Sequence, residues 1–275
     1  METRTIPRTV IRPGYVHGYS ERESRRLGDQ ADTLAGLLHG GTAYPAGSRV
    51  LDVGCGVGAQ TAHLVAAGPR AHIVGVDVSG RSLAQAGARL PGVTWCRADL
   101  FALPFADASF DHLFVCFVLE HLRAPRLALS GLRRVLRPGG TITVIEGDHG
   151  SAFFHPHSAY AQAAIDCQVQ LQSAAGGDAL IGRRLQPLLT EAGYADVEVR
   201  PRTVYADGTR PALTEGFTRN TFVAMIESIR DEALAAGLIT APDLDRGLAD
   251  LRRTAEDGGT FHYTFFKARA IRGED

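Results

Sequence analysis

The chain has 275 residues, with 29 Lys+Arg against 30 Asp+Glu and a formal net charge of −1. That balance excludes a broad electrostatic grip on nucleic acid or on an anionic membrane surface. Its length suits one large domain, or a core domain with an appended cap. Cys55, Cys96, Cys116 and Cys167 are widely separated, and three of them sit in or beside apolar strands. This reads as the reduced thiols of a cytoplasmic protein, not as a disulfide or zinc framework. With no charged-then-apolar leader and no uninterrupted apolar run of about 18 residues, neither secretion nor membrane spanning is expected.

In chain order, Ser20-Glu21-Arg22-Glu23 has the form of a capping box and starts a helix. Leu27, Ala31, Leu34 and Leu38 then recur at helical spacing and give it one apolar face. Val50 to Val53 reads as a buried strand running into Gly54-Cys55-Gly56-Val57-Gly58-Ala59 and a helix. Closely spaced glycines let backbone approach a ligand where a side chain would collide, and the helix start presents unpaired N–H groups. Gly54-x-Gly56-x-x-Ala59 also satisfies the loose dinucleotide fingerprint, so the loop alone does not choose between cofactors.

A second apolar strand, Ile73 to Asp77, ends on a carboxylate suited to accepting two hydrogen bonds from a ribose diol, and a helix begins near Ser79. Strands over Val93 to Asp99, Phe110 to Cys116 and Gly140 to Glu146 follow, with a helix from Leu127 to Leu136 before the last of them. Five strands alternating with helices predict a parallel, doubly wound sheet with ligands at the C-terminal strand ends. After Glu146 the pattern changes. Gly147 to Tyr160 is expected to be a loop at the ligand edge, carrying Phe153, Phe154 and Tyr160 as apolar walls of a substrate pocket beside His149, His155 and His157. The spacing of those histidines matches no standard zinc pattern and no cysteine joins them, so no metal is expected.

Helices are predicted over Ala159 to Ala175 and over Leu180 to Ala192, the second closed by Gly193. Val197 to Arg200 and Thr203 to Tyr205 alternate as an edge strand does, and Thr260 to Ala268 reads as the last strand. Between these arms lie Pro211 to Gly259. They hold one helix with Phe217, Phe222, Met225, Ile226 and Ile229, and another started by Thr240-Ala241-Pro242-Asp243 with Leu244, Leu248 and Leu251 on one face. The insertion suits a helical cap that lines substrate or forms a dimer interface, although buried packing explains most of its apolar positions equally well.

The motifs Leu51-Asp52-Val53-Gly54-Cys55-Gly56-x-Gly58, Asp77, Ala98-Asp99-Leu100, Leu103-Pro104-Phe105, Phe110-Asp111, Leu119-Glu120-His121 and Leu136-Arg137-Pro138-Gly139-Gly140, in this order and spacing, resemble the class I S-adenosylmethionine-dependent methyltransferases. Within them the chain is similar to the small-molecule branch of ubiquinone/menaquinone biosynthesis methyltransferases, the methyltransferase type 11 domain. The resemblance covers roughly residues 15–147 and the end of the chain. It implies an α/β, Rossmann-like doubly wound seven-stranded sheet with an antiparallel last strand, and the helical cap inserted between the last two strands interrupts the family's final hairpin. The implied organisation is a lid segment and helix over 1–40, a cofactor-binding core over 41–205 with lid helices at about 150–178, the cap over 206–259 and a final strand and tail over 260–275.

The resemblance further implies S-adenosyl-L-methionine as cofactor. Gly54 and Gly56 would approach its methionyl part, Asp77 would hold the ribose, Val78 would also contact the cofactor, and Asp99 would meet the adenine amino group with Leu100 beside the ring. Backbone around Cys116 and Phe117 would flank the methionine end, and Tyr19 would close as a lid, unless it is a hydrophobic staple at the helix entrance. A nicotinamide dinucleotide explains Asp77 equally well but leaves Asp52, Asp99 and the Pro138-Gly139-Gly140 turn unexplained. Asp52 is expected to organise the glycine loop through backbone hydrogen bonds and Asp111 to begin a strand.

The implied reaction is methyl transfer to an oxygen, nitrogen or carbon nucleophile of a small-molecule acceptor, in which the protein chiefly supplies alignment and water exclusion. His149 and His121 are candidates for a general base, since imidazole titrates near neutral pH, and Glu146 is a third. The alternative is a non-catalytic S-adenosylmethionine-binding sensor or scaffold, or a protein of this fold catalysing another reaction, whose cofactor motifs would look identical. Expected partners are the small-molecule acceptor, no nucleic acid and no membrane, with a homodimer possible.

Overall fold

Strand β1 (Arg49–Val53) is buried at four of its five positions, the state in which a central parallel strand becomes an unbroken apolar run. The computed structural model describes residues 21–274. The Tyr19 lid and the Ser20 cap therefore lie outside the described residues. Helix α1 (Glu21–His39) precedes β1 and buries Ala31, Leu34 and Leu38. After β1 come α2 (Ala59–Ala67), β2 (His72–Asp77), α3 (Gly80–Arg89), β3 (Thr94–Arg97), β4 (Phe110–Cys116), α4 (Pro125–Val135) and β5 (Leu136–His155). Helices α5 (Ala159–Ala175) and α6 (Leu185–Glu191) lead into β6 (Tyr194–Ala206), and β7 (Thr260–Arg272) closes the fold.

The seven strands form one sheet in the order β3-β2-β1-β4-β5-β7-β6. β1 to β5 pair in parallel, whereas β7 runs antiparallel to both β5 and β6. This is the doubly wound sheet with an antiparallel last strand that the sequence predicts. Successive residues of a strand face opposite sides. Val50, Phe114 and Ile145 accordingly join a core with α1, α5 and the insertion, while Leu51, Val115 and Val144 join a second core with α4 and α6. Each such fully buried side chain contributes roughly 1.5–3 kcal/mol.

Two caps follow their sequence signals. Ser79 accepts from the Ser82 amide at the start of α3, and Ser158 accepts from the Ala161 amide at the start of α5. Gly176 and Gly193 adopt the left-handed conformation at helix ends with φ of 95° and 88°, as C-terminal glycines do.

The expected loop over 147–160 is corrected by the structure. β5 continues to His155, because β7 is long enough to keep pairing with it: Asp148 faces Thr264, and after a register shift Phe153 faces His262. Ser151 bridges the irregularity, its hydroxyl accepting from the Thr264 N–H at 2.8 Å and donating to the Asp148 carbonyl at 2.6 Å.

The insertion between β6 and β7 comprises α7 (Pro211–Leu213), a π-helical run over Thr214–Val223, α8 (Ala224–Ser228), α9 (Arg230–Ala235) and α10 (Ala241–Arg253). Its apolar stripe is buried inside the molecule. Phe217 and Phe222 pack on Phe261 and Tyr263 of β7, and Leu244, Leu248 and Leu251 join the same core. The π-helical run lies so close to α1 that a Cβ on Gly216 would sit 2.2 Å from Thr33 Oγ1. No helix among the described residues is long and apolar enough to cross a membrane.

Candidate active site

The parallel strands end together, and past the C-terminal tips of β1, β2 and β4 lies a cavity of about 420 Å³, where open α/β sheets bind ligands. Gly54, Gly56 and Gly58 all have positive φ, at 69°, 51° and 76°, which an L side chain resists. They differ in what surrounds them. A Cβ on Gly54 would lie 2.5 Å from Val118 Cγ2, so protein fills its space, whereas a Cβ on Gly56 would meet nothing within 4 Å. Gly56 therefore presents bare backbone to the cavity, the cradle a close-lying ligand needs.

Asp77, at the tip of β2, ties this loop in place. Its Oδ2 accepts from the Gly56 N–H at 2.9 Å and its Oδ1 from the Ser79 N–H at 2.8 Å. Asp99 accepts from the Phe101 N–H at 2.9 Å and starts a short 3₁₀ turn that places Leu100 on the cavity. Asp52 departs from expectation. It accepts the Thr61 hydroxyl at 2.6 Å, joining β1 to α2, and complete burial pushes its carboxyl up to about 7. Asp111 lies within β4, where it accepts from the Arg49 N–H at 2.7 Å and pairs with Arg137.

Gly54, Gly56, Asp77, Val78, Asp99, Leu100 and Phe117 all line the one cavity. Phe117 holds a φ of 58° as β4 ends, a strained backbone of the kind that clusters at functional sites.

Beyond Phe117 the cavity acquires a polar end. His149 and His121 both line it, and burial holds both imidazoles below their ordinary range, hence neutral at neutral pH. His149 Nδ1 lies 2.9 Å from the Tyr263 hydroxyl, and its Nε2 lies 4.0 Å from Glu120 Oε2. Glu120 is half-buried, accepting from the Gln172 amide at 3.2 Å and lying 3.6 Å from His121 Nε2. Glu146, by contrast, sits behind the wall. Its Oε1 accepts from the Val118 and Leu119 N–H groups at 3.0 and 2.8 Å, so it fastens the 3₁₀ turn Leu119–His121, and burial pushes its carboxyl well up.

The rings expected as substrate walls do not reach the cavity, because β5 carries Phe153 and Phe154 past it as strand and Tyr160 stands on α5. Phe153 is 60% exposed and stacks on His262 at 3.8 Å, Phe154 lies along Phe261, and Tyr160 is covered by the Arg246 guanidinium. Their place is taken by Tyr263 and Phe265 of β7 and by Met225 of the insertion. The period-two run Phe261, Tyr263, Phe265 was the signal for the first two. Glu120 lay in plain view within Leu119-Glu120-His121, but spacing does not tell which side chain of a 3₁₀ turn faces inward. No group of three His, Cys, Asp or Glu suited to a metal occurs among the described residues.

A family model described as a methyltransferase domain matches residues 51–144. An uncharacterised methyltransferase of Synechocystis is 30% identical over 170 residues, which are 61% of this chain and 74% of that protein. The ubiquinone/menaquinone biosynthesis C-methyltransferase of Paracoccus denitrificans is 33% identical over 162 residues, 53% of this chain and 65% of that protein. The chain belongs to the class I S-adenosylmethionine-dependent methyltransferases. This methyltransferase-family chain spans between 42% and 65% of the length of the first three curated relatives it matches. Among solved structures the [4+2]-cyclase SpnF superposes with a TM-score of 0.55 at 18% identity, over 95% of this chain and 86% of that one. That likeness is one of fold. The family's cofactor, S-adenosylmethionine, fits the residues present: a bare cradle at Gly56, a carboxylate at the tip of β2 and another after β3.

Proposed function

We propose that this chain transfers a methyl group from S-adenosylmethionine to a nucleophilic oxygen, nitrogen or carbon atom of a small-molecule acceptor. The observation that carries the reading is that a single cavity joins the Gly54–Gly56 cradle, Asp77 and Asp99 to an acid–base cluster of Glu120, His121 and His149. A protein that merely held the cofactor needs the first half and has no use for the second.

In this reading Asp77 receives the ribose hydroxyls, Val78 and Leu100 flank the adenine, Asp99 meets its amino group, and the backbone at Gly54 and Phe117 holds the methionyl part. The cofactor supplies an activated methyl group on a sulfonium. The chain aligns the acceptor with it and excludes water, which α1 and the insertion accomplish by covering the polar end. His149 is neutral and free to take a proton from the acceptor, while Tyr263 fixes its ring from the other side. His121 supports Glu120. Glu146 acts on none of the reacting atoms and holds the turn that carries both.

The test is a time course with methyl-labelled S-adenosylmethionine and a small-molecule fraction of a bacterial extract. Label must appear in a small-molecule product with more than one turnover per protein. Stoichiometric binding of cofactor with no turnover, or product formation without loss of the methyl group, would overturn methyl transfer in favour of a sensor or of another reaction on this fold.

A further inference from the structure

The cavity holds one carboxylate that pairs with no arginine or lysine among the described residues. Four aspartates and glutamates besides Glu120 bear on it, and each is accounted for. Asp77 and Asp99 bind loop backbone, Glu23 holds Arg26 through two hydrogen bonds of 2.7 and 2.8 Å, and Glu146 is spent on the 3₁₀ turn. Arg26 is the one arginine or lysine lining the cavity among the described residues, and Glu23 already engages it. Glu120 is left with an amide from Gln172 and two imidazoles that burial keeps uncharged. A half-buried carboxylate that faces a largely apolar cavity favours a ligand of opposite charge.

The walls around it suit a cation. Tyr263, Phe265 and Phe117 present rings and Met225 a thioether, and aromatic faces attract ammonium groups. The gap itself has the width for one nitrogen. His149 Nε2 and Glu120 Oε2 are 4.0 Å apart, so an atom about 2.9 Å from each subtends about 87°, and two N–H bonds at the tetrahedral angle reach both with a deviation of about 11° each. A hydroxyl brings a single proton and no charge.

We infer that the methyl acceptor is a primary or secondary amine, seated with its nitrogen between His149 Nε2 and Glu120 Oε2. The inference rests on the methyltransferase reading above. With the imidazole proton on Nδ1, toward Tyr263, Nε2 accepts one proton of the arriving ammonium and leaves a nitrogen lone pair. That pair forms the N–C bond, the electrons of the S–C bond remain on sulfur, and Glu120 balances the charge of the new alkylammonium.

The experiment first measures S-adenosylmethionine and S-adenosylhomocysteine binding by calorimetry, then titrates the S-adenosylhomocysteine complex with benzylamine, phenethylamine, N-methylphenethylamine, and the matching benzyl alcohol, 2-phenylethanol and 4-ethylphenol. Amines are expected to bind and the hydroxyl compounds of equal size to bind at least tenfold more weakly. Glu120→Gln, which keeps the shape and the Gln172 contact, should weaken amine binding by about ten- to a hundredfold and leave cofactor affinity within twofold. Preference for the hydroxyl series, an amine affinity indifferent to Glu120→Gln, or no binding by any amine overturns the inference. Failure of the cofactor itself to bind is a separate result and defeats the underlying reading instead.

Discussion

Replacing Asp77 by Ala removes two kinds of interaction that can be measured apart. Within the protein, Gly56 and Ser79 each lose a carboxylate acceptor, at 2.9 and 2.8 Å. The Gly56 N–H borders the open cavity and Ser79 is only half-buried, so the stability cost is that of exchanging protein for water hydrogen bonds, about 1 kcal/mol each at most. Toward the ligand, the ribose diol loses a charged acceptor worth about 1.5–3 kcal/mol, which is an affinity loss of about ten- to 150-fold. Calorimetric titration with S-adenosylhomocysteine reads the second effect, and a thermal melt without ligand reads the first. An affinity within twofold of the parent, in a variant shown to be folded, would refute the ribose assignment. A melt lowered by far more than 2 kcal/mol would show that Asp77 is chiefly a structural clamp on the glycine loop.

Glu146→Ala strips the acceptor from the Val118 and Leu119 amides and should destabilise the fold by about 2–4 kcal/mol, whereas Glu146→Gln retains an acceptor oxygen and should stay within about 1 kcal/mol of the parent. Equal denaturation midpoints for the two variants would remove Glu146 from its fastening role. Gly216→Ala drives a methyl group to 2.2 Å from Thr33 Oγ1 and should cost about 1–3 kcal/mol, relieved in the double variant with Thr33→Ala. Additive losses in urea denaturation would mean that the π-helical run and α1 do not press on each other there. Burial, only partly offset by the hydrogen bond to Gln60, lowers the pKa of His39 to about 4. The unfolded chain therefore binds this proton more readily, and the contribution of His39 to stability is full above about pH 6.5 and falls away as pH drops toward 4. The stability difference between the parent and His39→Gln, followed from pH 7 to pH 4, should shrink across that window, and a constant difference would contradict it.

That the residues proposed for the donor converge on one cavity was legible because their determinants are local. A buried run, three glycines and an acid at the next strand tip are consecutive in sequence, and the structure brings Gly54, Gly56, Asp77, Asp99 and Phe117 to one cavity. The acceptor half was not, because its geometry is decided by pairing over distance. Gly150, Ser151 and Pro156 punctuate the stretch after Glu146 as a loop would be punctuated, yet β7, more than a hundred residues on, extends β5 through it. One consequence is that Phe153 and Phe154 leave the site. Another is that Tyr263 reaches His149, a contact that spans 114 positions of chain. The insertion was visible as amphipathic helices, but only packing reveals that Met225 alone among its apolar residues faces the cavity.

The two halves of the cavity are thus encoded on different stretches of the chain. The residues proposed to grip the donor lie before residue 118, whereas Met225, Tyr263 and Phe265 supply apolar lining from far later in the chain. Genetic exchange confined to the last quarter of such a gene would reline the apolar part of the chamber and leave Glu120, His121, His149 and the glycine loop in place, so that appetite for new substrate shapes can drift while fuel supply stays constant.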